Sequence, residues 1–385
     1  MAKKISKTND TAHNQTDILL AELEARISEE YTIAQEEIEA TLEDYMTKFA
    51  EKDAIWIEAV QDGKKTQQEY SSWKYQQMLV GKKWEALRDT IAYELTVTNQ
   101  LAKEIAYNLM PTIYALNFNY GTYQIETASG IDTLFHGYNK GAIRLLFDKE
   151  DKLYHDAGIR LSRKIALNQD LAWNKQQIQS IMMQGILQGE SIPHLATRLQ
   201  QGASQPFDAS DIKNAYKMTA EEVSREVSEK NRKAAIRNAR SMTTYVENKG
   251  RENAYKRAQE LGLESMKVWK ATYDNRTRHA HRVLNGQKVP VDEPFEIDGY
   301  EIFEPGDPNA PGYLYYNCRC RLATEFVGFE RKKDARTKYD PDLMGMSYDE
   351  WVNAKPTSRR ITYQDEVGKA VAAAYRAEYR RMKRK

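Results

Sequence analysis

The sequence predicts a mainly helical protein with a small C-terminal α+β module, in which long N-terminal helices and further helices lead into a short antiparallel sheet. Apolar residues recur at steps of three and four over long stretches between Asp17 and Leu261, as in amphipathic helices. The pair Asp298-Gly299 lies between two β-favouring segments and is a strong hairpin signal. Charged residues make up 29% of the chain, which suits helices that expose much surface.

Composition narrows the classes of function. A chain of 385 residues is long enough for about two or three domains. Its 57 basic and 56 acidic residues nearly cancel, so overall charge does not require a nucleic-acid partner. No apolar run approaches the roughly 20 residues of a spanning helix, and the polar start lacks the apolar core of a secretory signal. We therefore expect no membrane-spanning segment.

The N-terminal part divides into a disordered start, residues 1–16, and a helical region, residues 17–164. From Asp17 to Gly63 one apolar stripe runs along a long helix, which needs either a coiled-coil partner or neighbouring helices. The stripe comprises Leu20, Leu23, Ile27, Tyr31, Ala34, Ile38, Leu42, Tyr45 and Phe49. A second helical stretch runs from Thr66, with a break at Gly81, and is predicted to end at Pro111. The glycine- and aromatic-rich segment 117–146 is predicted to be a linker with short helices.

Residues 165–330 are predicted to form one domain, with its α+β module at 266–330. Helical spacing at 170–200 is followed by a charged helix from Asp208 to about Gly250, which continues in some form to Leu261, with Gly262 as a fair C-cap. Strands are expected in MKVWKATYD and RLATEFVGFE, on either side of the hairpin EPFEIDGYEIFEP. Residues 331–385 are predicted to be a polar segment with a short helix after Ser347, followed by a basic tail.

Two short patches hold the soft metal ligands of the module. If both are extended, Cys318 and Cys320 share a face, as do His279 and His281, and together they supply four ligands for structural zinc. The alternative is that the cysteines pack as small apolar side chains. In that case a hydrogen-bonded network would pin the loop between the strands; it would comprise Asp274, Arg278, His281 and Asn317.

A catalytic role for these patches is the weakest interpretation. The common nucleotide-binding, metalloprotease and hydrolase motifs are absent from the sequence. No base and orienting group lie next to a nucleophile in the sequence. We assign no catalytic residue and expect a protein that is not an enzyme.

The C-terminal tail is the strongest local charge feature. Residues 369–385 carry seven Lys or Arg against one Glu. Such an end either contacts DNA phosphates or remains a solvated terminus. The candidate nucleic-acid contacts are Arg380, Arg381, Lys383, Arg384 and Lys385.

Taken together, the order of these motifs resembles the phage Mu protein F-like head morphogenesis family, the minor capsid proteins of tailed phages. The resemblance covers about residues 165–325, and Ala239, Arg240, Ser241 and Asn248 in the preceding helix also fit it. The matching residues of the module are Trp269, Thr272, Asp274, Arg276, Thr277, Arg278, His281, Asn285, Gly286, Pro305, Gly306, Asp307, Asn317, Cys318, Arg319 and Cys320.

The resemblance also guides the choice of site residues. Family members often carry Pro or a small residue where His279 stands, so a shared metal site would use His281, Cys318 and Cys320, with Asp274 or water as the fourth ligand. The structural cluster expected to staple the module comprises Asp274, Arg276, Arg278, His281, Asn317, Cys318 and Cys320.

The function implied by the resemblance is structural. The expected protein is a low-copy component of the virion head that associates with the portal protein at the portal vertex and assists assembly, DNA packaging or ejection, with the host cytoplasm as its location during assembly. Major capsid protein, scaffolding protein and phage DNA are further expected partners. About 55 residues follow the module, too few for a typical enzyme domain, so no effector domain is expected.

Two other functions compete with this interpretation. One is a metal-dependent nuclease that uses His279, His281 and nearby acids, and the other is a DNA-binding protein that relies on the tail.

Overall fold

The computed structural model describes residues 9–77, 81–133, 170–178, 220–330 and 337–355, which form two compact units. The helical unit consists of residues 27–77, 81–102, 170–178 and 220–234. The mixed unit consists of residues 9–26, 103–133, 235–330 and 337–355. Helices dominate both units, and short antiparallel strands occur in the mixed unit, which confirms the predicted fold class.

Three long helices account for most of the described residues. In chain order the first elements are α1 (Thr11–Gln61), α2 (Gln67–Tyr75), α3 (Lys82–Ser129), the short strand β1 (Ile131–Asp132) and α4 (Ala220–Glu260). In the helical unit, Ile38 and Leu42 of the predicted stripe pack with Trp84 and Leu95 of α3 and Val227 of α4. The stripe of α1 is therefore buried within the chain there. No helix among the described residues is long and apolar enough to cross a membrane.

The predicted start of the first helix was wrong, and so was the predicted end of the second helical stretch. Helix α1 begins at Thr11 rather than Asp17, because the residues before Asp17 are held in the mixed unit: Asp10 and His13 are buried and bonded to α4. Residues 1–8 lie outside the described residues.

Helix α3 does not end at Pro111 but continues to Ser129, through much of the segment predicted to be a linker. The residues beyond the proline form a buried face that includes Ile113, Phe118 and Ile125, and this packing offsets the lost hydrogen bond. Gly121 does not break the helix. It allows α3 to pack closely against α4, since a Cβ at this position would lie 2.9 Å from Ala254 Cβ. The rest of the predicted linker lies outside the described residues.

The α+β module follows α4 through Gly262, whose φ of +89° suits glycine. Its elements are β2 (Leu263–Lys270), α5 (His279–Leu284), β3 (Lys288–Pro290), β4 (Phe295–Ile297), β5 (Tyr300–Ile302), α6 (Gly312–Tyr315) and β6 (Arg321–Phe329). The antiparallel sheet has the order β3-β2-β6, and β4 and β5 form the predicted hairpin. Asp298 and Gly299 turn it with φ of 52° and 80°, as a type I′ turn requires.

After the module the chain packs against the end of α3. Strand β7 (Lys338–Tyr339) pairs with β1, and a 3₁₀ turn leads to α7 (Tyr348–Ala354). Ser347 and Glu350 form a capping box, so the helix predicted after Ser347 is confirmed. Trp351 donates its indole N–H to Glu126 of α3 at 2.6 Å.

Candidate functional site

Two segments far apart in sequence meet beside the β2–β6 strand pair. Lys270 at the end of β2 faces Arg321 at the start of β6. Because the strands are antiparallel, the residues after β2 and those before β6 leave the sheet at the same edge. The first segment forms a turn and then α5; the second is the irregular stretch 317–320, hereafter the Cys strip.

His281 of α5 faces both thiols of the Cys strip. Its Nδ1 lies 3.2 Å from Cys320 Sγ and 3.7 Å from Cys318 Sγ. One ligand atom from each residue lies within 4.8 Å of the others. All three side chains are buried, with exposed fractions of 4%, 2% and 2%. The structure therefore brings together the three residues predicted as the best metal ligands.

The buried thiols differ in their ionisation. Burial opposes ionisation of Cys318, but hydrogen bonds with Cys320 and His281 outweigh it and hold the pKa of Cys318 well below its usual value. Burial and the neighbouring Cys318 raise the pKa of Cys320 well above its usual value. Ionisation of one thiol therefore opposes ionisation of the other.

Two predicted ligands do not join this group. His279 and His281 were expected to share a face, but both lie in α5, where residues two apart point in different directions. Asp274 is not the fourth ligand, because its carboxylate binds Arg319 through two contacts of 2.7 Å. The Arg319 guanidinium holds the pKa of Asp274 well below its usual range.

Asp274 and Arg278 act instead as loop anchors. The Asp274 carboxylate accepts the backbone N–H of Arg276 at 2.9 Å, and Arg276 itself extends largely into solvent. Arg278 donates to the carbonyl of Tyr316 at 2.8 Å. The predicted hydrogen-bonded network therefore exists for these two residues, and it lies beside the His281 cluster. Asn317 instead donates its backbone N–H to Ser241 of α4 and has a φ of 53°.

One face of α4 holds the Cys strip from the other side. Thr244 donates to the carbonyl of Cys318 at 2.7 Å. The side-chain amide of Asn248 donates to the carbonyl of Cys320 at 3.2 Å and accepts the N–H of Leu322 at 2.6 Å. Ser241 accepts the N–H of Asn317 at 3.3 Å. Since these three residues are three and four apart on the helix, they line one face and fix the backbone around both thiols.

Comparison with known proteins identifies the segment that contains this arrangement. Residues 176–323 match the profile of the family described as Phage Mu protein F like protein. These residues belong to the phage Mu protein F-like family. We refer to them as the Mu F-like segment, which makes up less than half of the chain.

One curated relative also matches over a shorter region. The chain is 33% identical over 130 residues to the NAD(+)–arginine ADP-ribosyltransferase EFV of Enterococcus faecalis, a region that covers 33% of this chain and 26% of that protein. The chain thus spans about a quarter of the length of this relative. No solved structure shows a significant match.

The Pro-Gly-Asp motif of the Mu F-like segment also packs on α4. Gly306 has φ of +85°, and a Cβ there would lie 2.7 Å from the backbone nitrogen of Tyr245. Asn248 donates to the carbonyl of Pro305 at 3.2 Å. Asp307 accepts the N–H groups of Phe303 and Asn309 and so shapes the turn. The motif therefore allows the loop that contains it to pack closely against α4.

Sequence reasoning missed two buried charge clusters around α4. In the first, Arg251 is fully buried and contacts Asp10 at 2.6 and 2.9 Å, Asn117 at 2.8 and 3.0 Å, and the carbonyl of Leu322 at 3.0 Å. Burial opposes the charge of Asp10, but Arg251 outweighs it and lowers the pKa of Asp10. A single arginine in a charged helix gives no sequence signal of this role.

The second cluster joins α4 to β2 and the loop after β5. Lys249 contacts Glu252 at 2.7 Å and Glu304 at 3.4 Å, while Lys267 lies 3.6 Å from Glu252. Burial raises the pKa of Glu304 to about 7, because its one lysine contact is long and its other carboxylate oxygen has no hydrogen-bond partner among the described residues.

The basic tail, residues 369–385, is the last of the predicted features. Its candidate contacts, from Arg380 to Lys385, lie outside the described residues. Contact between the tail and DNA remains a prediction from the sequence.

Proposed function

We propose that the protein is a non-enzymatic minor capsid protein that joins the phage head at the portal vertex and assists assembly, DNA packaging or delivery. The observation that carries this proposal is the match of residues 176–323 to the Mu F-like family. The residues that the resemblance singled out converge on one structural unit, where Asn248, Cys318 and Cys320 are buried and occupied in holding the fold. Such residues suit a scaffold better than a reaction centre.

Co-purification tests the association with the portal. The full chain would be co-expressed with the portal protein of the same phage, and the tagged portal would be captured. We expect the chain to be retained through washes of high ionic strength. The matched control is capture on tagged major capsid protein. Failure of the portal to retain the chain contradicts portal association, and equal retention by both baits contradicts a preference for the portal.

The nuclease rival, which would use His279, His281 and nearby acids, gains one observation from the structure: His281 lies close to two further possible metal ligands. If the protein were a metal-dependent nuclease, plasmid cleavage would require metal and would be lost in His281→Ala. We expect no cleavage by the purified wild-type chain, with or without divalent ions and chelator. Cleavage that requires metal and disappears in His281→Ala would favour the rival.

The tail supports a second proposed contact, with packaged DNA. Seven cationic residues in 369–385 would release counterions on binding, so affinity would fall steeply with salt. Deleting residues 369–385 should abolish this salt-dependent binding in a filter or anisotropy assay. Unchanged binding after the deletion contradicts the assignment of DNA contact to the tail.

A further inference from the structure

We propose that His281, Cys318 and Cys320 bind one Zn²⁺ ion that fastens α5 to the Cys strip. The three donors come from segments that are 37 and 39 residues apart in sequence and converge on one buried point. They combine an imidazole with two thiols, the donor types most typical of structural zinc. Neither the Mu F-like match nor the proposed head function assigns a metal to this chain.

The distances fit a tetrahedral ion. Zinc bonds of about 2.3 Å to sulfur and 2.0 Å to nitrogen separate nitrogen and sulfur ligands by roughly 3.5 Å. The two distances from His281 Nδ1 to the sulfurs, 3.2 and 3.7 Å, lie on either side of this value. His281 Nδ1 faces both sulfurs at once, as a shared ion requires.

The surroundings fix the backbone at both cysteines without an ion, whereas His281 Nε2 has no hydrogen-bond partner among the described residues. Thr244 and Asn248 bind the carbonyls of Cys318 and Cys320, and the His281 ring packs edge-on against Trp269 with centroids 6.2 Å apart. Metal sites need such outer contacts to orient the ligands. The backbone geometry at both cysteines is therefore set by α4, and the thiols are directed at the imidazole.

The site fits a structural ion rather than a catalytic one. Substrate cannot reach an ion whose ligands are at most 4% exposed. The three residues leave one position of a tetrahedron to water, so burial rather than the number of protein ligands distinguishes this site from a catalytic one. Zinc there would link the turn after β2 to the start of β6, where an Asp274–Arg319 ion pair and a few loop hydrogen bonds are the other described connections.

Metal analysis of the full-length protein tests the proposal. The chain would be purified without a histidine tag from zinc-supplemented cells, and metal would be measured by mass spectrometry alongside zinc release by a thiol-modifying reagent. We expect one zinc per chain, released as the thiols react. Zinc should fall to trace levels in Cys318→Ser and Cys320→Ser. His279→Ala, the matched control two residues from the ligand, should retain a full equivalent.

A second readout does not depend on how well the variants fold. Wild-type protein loaded with Co²⁺ should show thiolate-to-cobalt charge-transfer bands and the intense visible bands of a tetrahedral site. Freshly purified wild-type chain with trace zinc, no such cobalt spectrum and two freely titrating thiols would overturn the proposal. A disulfide between Cys318 and Cys320 in that protein would overturn it as well. These outcomes do not bear on head assembly, which is tested separately.

Discussion

At the scale of single residues, the Asn248 side chain joins α4 to two other parts of the Mu F-like segment. Its amide satisfies the carbonyls of Pro305 and Cys320 and the N–H of Leu322, all buried at the surface of α4. Buried backbone groups that lose their partner cost about 1–3 kcal/mol each. By binding these backbone groups of β6 and the neighbouring loops, Asn248 determines where the Cys strip lies on α4.

Replacing Asn248 by Ala should destabilise the mixed unit by about 2–5 kcal/mol, because several buried backbone groups lose partners at once. Hydrogen exchange at the Leu322 amide, which loses its acceptor, should accelerate strongly. Asn253→Ala is the control, since Asn253 makes a single side-chain bond to Tyr114, and it should cost about 1 kcal/mol. Equal effects of the two substitutions would contradict the role of Asn248.

The pH dependence of stability should reflect Glu304 and His13. The pKa of Glu304 is about 7 in the fold against 4.5 for an ordinary Glu, so the folded state binds more protons between these values and stability falls as pH rises through that window. For His13, burial lowers the pKa, but contact with Glu247 outweighs burial and raises it above 6.5. The contribution of His13 to the free energy of unfolding is therefore fully present below pH 6.5 and is lost as pH rises through the pKa of His13 in the folded state.

Urea unfolding between pH 5 and about 8 measures this dependence, with a slope of at most about 1.4 kcal/mol per pH unit for each proton. Glu304→Gln should flatten the profile between pH 5 and 7, since it removes the charge that faces Glu252 and Asp307. Glu301→Gln, at an exposed position of β5, should leave it unchanged. A profile of Glu304→Gln that matches the wild type would contradict the raised pKa.

The candidate site was partly predictable at this scale. The alternation of Cys318 and Cys320 in an extended strip placed both thiols on one side, and both are buried. The same alternation failed for Asp274 to His281, because a turn and a short helix replace the extended chain. Thr244 and Arg251 could not be found from sequence, since nothing in a charged helix marks the face that meets a distant strip.

At the scale of elements, α4 is the platform on which the module is built. It presents Ser241, Thr244 and Asn248 to the Cys strip, and its backbone at Tyr245 receives the loop at Gly306. Gly250 meets α3 in the same close manner, since a Cβ there would lie 2.6 Å from the carbonyl oxygen of Tyr114. Close approach at these glycines sets the spacing of the elements around α4.

Gly306 and Gly286 have nearly the same backbone conformation, so comparing Ala substitutions at the two positions distinguishes the cost of backbone strain from the cost of a steric clash. Gly306 and Gly286 have φ of +85° and +88°, but a Cβ at Gly286 would meet nothing within 4 Å. Gly286→Ala should therefore cost only the strain of a left-handed residue, about 1–2 kcal/mol. Gly306→Ala should cost clearly more, because its Cβ would also press on the α4 backbone. Thermal unfolding compares them, and equal losses would contradict tight docking of the loop on α4.

Elements with strong local signals were predicted well. Strands β2 and β6, the Asp298-Gly299 hairpin and the end of α4 before Gly262 all follow from patterns that tertiary contacts do not override. Helix α3 shows the limit: Pro111 and Gly121 signal a break locally, yet burial of the face around them keeps the helix intact. The short strands β1 and β7 carry too little pattern to be seen in sequence.

At the scale of the whole molecule, Arg251 joins parts of the chain that are far apart in sequence. It binds Asp10 before α1, Asn117 of α3 and Leu322 of β6, all within the mixed unit. Removing one partner of a buried ion pair leaves the other charge uncompensated. The N-terminal residues are therefore part of the unit that contains the α+β module, although sequence alone predicted them to be disordered.

Arg251→Gln should destabilise the mixed unit by about 3–5 kcal/mol. It should also release the start of α1, so that limited proteolysis cuts near Asp10 before other sites. Arg240→Gln is the matched control on the same helix, since its pairing with Glu24 at 2.6 Å is partly exposed, and its loss should cost about 1 kcal/mol or less. N-terminal protection that survives Arg251→Gln would contradict the linking role.

Quantitative mass spectrometry of purified procapsids and virions tests most directly the claim that this chain is a head protein. We predict that peptides from residues 220–330 are present in both kinds of particle, at a few copies relative to the major capsid protein. We also predict that procapsids assembled without the portal protein lack them. If the chain is produced during infection but is absent from procapsids and virions alike, the proposed function is wrong.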